Sequence, residues 1–109
     1  MLAESGRDLS RALTLAQTAK AQLPEHPSID DTLGWIYFKS EMFGSAVTTL
    51  QSSVDHEAND PMSRYHLGLA YARTGDLAKS KTQLVRALQM NPKAPLADEA
   101  RRVLSTIGE

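Results

Sequence analysis

The apolar residues of this chain recur at three- and four-residue intervals, which is the spacing of one face of an α-helix. Ile29, Leu33, Ile36 and Tyr37 form one stripe, and Ala46, Val47, Leu50 and Val54 form the next. An earlier stripe runs through Leu9, Ala12, Leu13, Ala16, Ala19 and Leu23. A late one runs through Ala97, Ala100, Val103, Leu104 and Ile107, with Asp98, Glu99, Arg101 and Arg102 as its polar complement. The pattern predicts six helices, over about 8–23, 28–40, 44–57, 62–74, 78–90 and 95–107. The break "RTGD" puts Gly75 just beyond one helix and Asp76 at the cap of another. "KSEMFGS" marks an earlier, less clear break. Ser28 followed by Asp31 reads as a capping box with Asp in place of Glu. Pro61 and Pro95 fall where a first helical turn tolerates proline.

The stripes repeat. Leu-Gly-x-x-Tyr occurs at Leu33–Tyr37 and again at Leu67–Tyr71, 34 residues on. The same shift lays Lys39 on Arg73, Phe43 on Leu77, Ala46 on Ser80, Leu50 on Leu84 and Val54 on Leu88, and it relates Pro27, Pro61 and Pro95. A shift of 68 lays the segment from Asp8 on the segment from Asp76. Self-similarity at such a period signals stacked helical units. Glycine inside a helix costs about 1 kcal/mol relative to alanine. Its use twice at one repeat position predicts a close helix approach at Gly34 and Gly68. Tyr37 and Tyr71, one turn later, are expected to cover that approach from within the core.

These residues resemble the tetratricopeptide repeat: a 34-residue unit with Leu-Gly-x-x-Tyr in its first helix, a small and a large apolar residue in its second, and proline near its end. Pro92 sits at the family's proline position, where the first full unit has Ala58. Ser80 replaces the usual alanine at a tight helix crossing. The resemblance implies an all-α fold, a right-handed superhelix of antiparallel helix pairs. The expected divisions are a partial repeat over 1–27, repeats over 28–61 and 62–94, and a capping helix over 95–109. Only "MLA" would remain of a helix before the first stripe, so the chain is expected to be a piece of a longer protein. A narrower similarity is to the C-terminal block of long bacterial tetratricopeptide proteins, among them lipoproteins linked to exosortase (PEP-CTERM) protein sorting and exopolysaccharide export.

In the family, the first helices of the units line a concave face that binds peptides and proteins. Carried over residue by residue, that face has Asp31, Thr32, Trp35, Phe38 and Lys39 in one unit and Tyr65, His66, Leu69 and Arg73 in the next. Glu99, Val103 and Arg102 of the last helix lie nearby. Trp35 and Phe38 are read either as groove anchors or as packing against neighbouring helices. Tyr65 is expected to face the groove. Lys39 and Arg73 are expected at its rim. The carboxylate clamp with which some family members hold a peptide C-terminus is absent, because its positions carry Asp31, Trp35, His66, Leu96 and Ala100. The expected function is a protein-interaction module binding a peptide or protein segment on this face. The alternative is a structural cap of a longer superhelix whose binding surface lies upstream. The stripe on the first helix is expected to be partly uncovered and to promote self-association.

Composition narrows the chemistry. The formal net charge is −1, with both signs dispersed, which argues against a nucleic-acid partner. There is no cysteine, so disulfides, thiolate metal sites and a cysteine nucleophile are excluded. No apolar run approaches the roughly 20 residues that span a bilayer. "MLAESGRDLS" has no basic start or apolar stretch and does not read as a signal peptide, though a longer parent protein could carry one. The sequence names no compartment. His26, His56 and His66 lack the spacing of helical metal ligands, and "DHEAND" lacks that of a calcium loop. No phosphate-binding glycine motif or nucleophile elbow is present. Neither an enzyme, a cofactor nor a metal is expected.

Overall fold

The structure, a computed structural model, describes residues 6–107. Within them the chain forms six helices: α1 (Gly6–Gln22), α2 (Pro27–Lys39), α3 (Phe43–His56), α4 (Pro61–Thr74), α5 (Leu77–Met90) and α6 (Ala97–Ile107). The architecture is all-α, as expected. α2 pairs with α3 and α4 with α5; α1 stacks on α2, α3 on α4, and α6 on both α4 and α5. The segment "MLA" lies outside the described residues. α1 already begins at Gly6, within what reads in the sequence as a turn.

The two helix pairs are built on one contact. A Cβ placed on Gly34 would lie 2.5 Å from Leu50 Cγ and 2.6 Å from its Cδ2; on Gly68 it would meet Leu84 Cδ2 at 2.5 Å and its Cγ at 2.6 Å. The backbone nitrogens of Leu50 and Leu84 are 3.3 and 3.2 Å from those positions. The helices therefore cross at a distance that only glycine permits, and Leu50 and Leu84 are fully buried there. Ser80 is buried at the same crossing, and its hydroxyl donates to the Gly68 carbonyl at 2.7 Å. That bond explains how a serine stands where Ala46 stands in the other unit.

Tyr37 and Tyr71 reach outward from this contact rather than simply covering it. Tyr71 is buried and Tyr37 half-buried. The Tyr71 hydroxyl donates to Gln51 Oε1 at 2.9 Å, and the Tyr37 hydroxyl accepts from Gln17 Nε2 at 3.3 Å. Both glutamines lie on the second helix of the preceding unit, so each tyrosine joins two units.

The turns within the pairs also share a geometry. Gly75 has φ 85°, and Glu41, at the equivalent place, has φ 63°. In each turn the next amide closes the helix end: Met42 N–H donates to the Tyr37 carbonyl at 2.9 Å, and Asp76 N–H to the Tyr71 carbonyl at 3.0 Å. Glutamate in this left-handed conformation carries a steric cost that glycine does not.

Three local expectations are corrected. Ser28 does not cap α2: the N-cap is His26, with no side-chain cap bond. Proline at the first turn starts the helix early and leaves Ser28 inside it, while Asp31 bonds to His66 instead. Asp76 is the N-cap of α5 by position, yet its side chain makes no cap bond. Asp60 does cap, accepting from Met62 N–H at 3.0 Å beside Pro61. Pro95 sits in the turn before α6, which begins only at Ala97.

One buried carboxylate ties the first three helices together. Asp30 on α2 is 1% exposed. Lys20 Nζ from α1 lies 2.6 Å from its Oδ1, and the Ser52 hydroxyl from α3 donates to its Oδ2 at 3.0 Å.

Two substitutions at repeat-equivalent glycine positions are expected to act in opposite directions. Gly68→Ala gains up to about 1 kcal/mol of helix propensity but forces apart a packed crossing; overpacking costs about 1–3 kcal/mol, and the net change is a loss. Glu41→Gly relieves the left-handed backbone and raises stability by about 1 kcal/mol. Urea unfolding followed by circular dichroism measures both. A Gly68→Ala midpoint at or above wild type would remove the close-approach argument.

A candidate protein-binding groove

The first helices of the units, α2 and α4, run beside α6 and leave an open groove of about 310 Å³ between them. α2 contributes Trp35 and Phe38. α4 contributes Leu69, Ala72 and Arg73. Glu99 and Val103 of α6 and Leu96 from the turn before it complete the lining.

Trp35 is held on both sides. Its ring stacks on Phe38 with centroids 4.6 Å apart and on His66 at 4.1 Å, with interplanar angles of 11° and 15°. Trp35 and Phe38 meet because residues three apart share a helix face. His66 reaches across from α4 and is fixed from behind: its Nδ1 is 2.7 Å from Asp31 Oδ1. An ionised carboxylate only accepts, so Nδ1 carries the proton in this bond. Phe38 in turn meets the edge of Phe43 at 5.3 Å and 70°. The Arg73 guanidinium lies 4.3 Å from the Phe43 ring centroid and 5.9 Å from that of Phe38.

The structure therefore sorts the residues expected on this face. Trp35, Phe38, Leu69, Arg73, Glu99 and Val103 come together in one groove. Asp31 and His66 stand behind Trp35 as its support. Arg102 donates to Glu99 Oε1 at 3.0 Å. Two residues depart from expectation. Tyr65 does not face the groove; it is fully buried against Leu84, Ala87, Ala94 and Ala97. Its hydroxyl donates to the Asn91 carbonyl at 2.5 Å. The small residues of α6 and its approach leave room for the ring and then cover it. Burial raises the Tyr65 phenol above its usual range, with the nearby Arg101 charge opposing the shift. Lys39 lines a different depression, of about 410 Å³, with Leu9, Leu13 and Met42. Its helix ends at the Glu41 turn, and that end faces α1 rather than the groove.

Ala72 in the groove and Phe43 beside it were not expected; Leu96 was foreseen only as a position of the absent clamp. Phe43 had a signal: it lies 34 residues before Leu77, at an apolar position of the repeat. Its contact with Arg73 depends on how two units stack, and a single unit does not reveal that.

Among the described residues, no group of three or more His, Asp or Glu is placed to hold a metal ion. None of the described helices is long and apolar enough to cross a membrane.

An array of helix pairs joined at glycine crossings, with an open groove along its first helices, defines a helical-repeat scaffold. Residues 63–94 match the tetratricopeptide repeat family, and together with the six helices this match supports an all-α helical repeat fold of the tetratricopeptide type. Repeats of this family generally mediate protein–protein interaction, and the family is a non-catalytic scaffold family. No curated protein matches the chain.

Proposed function

We propose that this chain is an interaction module that holds a segment of a partner protein in the groove between α2, α4 and α6. The observation that carries this reading is the prearranged aromatic stack: Trp35 is clamped between Phe38 and His66 at the wall of an apolar groove. A rigid tryptophan offers a large contact area and loses little entropy on binding, which is why such residues dominate interaction hot spots. Asp31 and His66 act through Trp35. Leu69, Phe38 and Val103 supply apolar floor, and Arg73 supplies charge.

The second reading is a cap that closes a longer superhelix and leaves binding to other repeats. It has its own support on α6. Arg102 lies 34 residues after Gly68, where the units need a glycine for their crossing. Its side chain is 68% exposed, so a further helix could not cross α6 as closely as α5 crosses α4.

Capture of partners from source-cell lysate by wild type, Trp35→Ala and Val103→Glu separates the two readings. The groove reading expects both variants to lose about tenfold or more of the captured partner, since a hot-spot residue contributes about 2 kcal/mol or more. Helical content by circular dichroism should remain. A partner held equally by all three folded proteins would favour the cap.

Self-association has separate support. Leu15 of α1 and Leu23, just beyond its end, are 67% and 54% exposed. Leu15 lies 68 residues before Gln83, which accepts from Arg64 Nη1 of α4 at 3.0 Å. The corresponding face in the last pair is thus covered by its own first helix. We propose that a second copy covers it on α1. Sedimentation equilibrium should show a mass rising with concentration above 11.9 kDa, and Leu15→Glu should abolish the rise. A concentration-independent monomer mass would overturn it.

A further inference from the structure

The groove is asymmetric in charge. Two charged side chains line it, Arg73 and Glu99. Glu99 is already engaged by Arg102 at 3.0 Å. Arg73 has no carboxylate partner among the described residues. Its guanidinium instead stacks over Phe43 and Phe38. A guanidinium stacked on a ring commits its face and keeps its in-plane N–H donors, which match a carboxylate in a two-pronged bond. The ring contact also orients those donors in advance, so less freedom is lost when they bind.

We propose that the groove selects an extended partner segment in which a large apolar side chain is neighboured by Asp or Glu. The apolar group lies on the floor made by Trp35, Phe38, Leu69 and Val103, and the carboxylate is gripped by Arg73. This rests on the groove being the binding face. Its volume of about 310 Å³ is at the small end of ligand pockets, which suits one or two side chains of a peptide better than a whole helix. The acid is a side chain within the segment, so a free C-terminus is not required. A Lys at the same place is repelled by Arg73.

Trp35 is the one tryptophan of the chain, so its fluorescence reports occupancy of the groove directly. The probes are three short peptides with acetylated and amidated ends and no Trp or Tyr. They are identical except for the residue beside a central Leu pair, which is Glu, Gln or Lys. The Glu peptide is expected to bind about tenfold tighter than the Gln peptide, as one charge-assisted hydrogen bond allows. The Lys peptide should be weakest, and the Glu–Gln gap should narrow with added salt. In Arg73→Gln the gap should vanish, while Arg73→Lys keeps part of it.

Equal binding of the Glu and Gln peptides by wild type would overturn the acid preference and leave the groove reading standing, because Trp35 still responds. A folded Arg73→Gln variant that weakens both peptides equally would also overturn it, by giving Arg73 a structural role alone. Absence of any Trp35 response to all three peptides would overturn the acid preference and the groove reading together.

Discussion

Two missing methyl groups set the geometry of this molecule. At Gly34 and Gly68 the absence of a Cβ lets the second helix of each pair press a leucine into the first, and no larger residue fits that space. The leucines are fully buried, so the contact is both the closest approach and the centre of packing in its pair. Packed interiors do not absorb an extra methyl without moving what surrounds it. Everything further out depends on this spacing. The turn at Glu41 or Gly75 has to close over it, and the tyrosine one turn after each glycine is carried to the right height to meet the glutamine of the preceding unit. The second helices then sit on one side, which leaves the first helices α2 and α4 to form a groove with α6 on the other.

Contacts between units are chemically more varied than contacts within them. Within the pairs, Gly–Leu is repeated almost to the tenth of an ångström. Between units, the Tyr71–Gln51 bond has a longer counterpart in Tyr37–Gln17. Arg73 stacks on Phe43, whereas the corresponding Lys39 stands near Leu9 in a separate depression. The first interface is instead reinforced by buried Asp30, held by Lys20 and Ser52. Removing one member of a buried pair costs far more than an exposed pair contributes, so this carboxylate fixes α1 to the array although the repeat pattern has no counterpart for it. Variation of this kind gives each groove of a regular scaffold its own chemistry.

The groove shows how such chemistry arises from packing. Trp35 belongs to the first full unit, but its position is decided by His66 of the next, and His66 is steadied by Asp31 back on α2. Phe38, Phe43 and Arg73 form a second chain of contacts across the same junction. A side chain that is half-buried and stacked on both faces is rigid without being hidden, which is the condition for contact area at low entropic cost.

The amino-acid sequence by itself determined the helices, the repeat period and the glycine crossings, because each follows from spacing within one chain segment; the choice of α2 and α4 as groove walls came from the resemblance to the repeat family. Helical periodicity, glycine without a Cβ and proline at a first turn act locally, and the 34-residue shift exposes them twice. It did not determine the fate of residues whose surroundings come from another unit. Tyr65 reads as a groove residue until α6 and its approach cover it with Ala94 and Ala97. Lys39 reads as a rim cation until the end of its helix is seen against α1. Asp30 and Asp31 are adjacent and chemically identical, yet one is buried on Lys20 and the other supports His66. A helix turns by about 100° between neighbours, and only the tertiary structure decides what each direction meets.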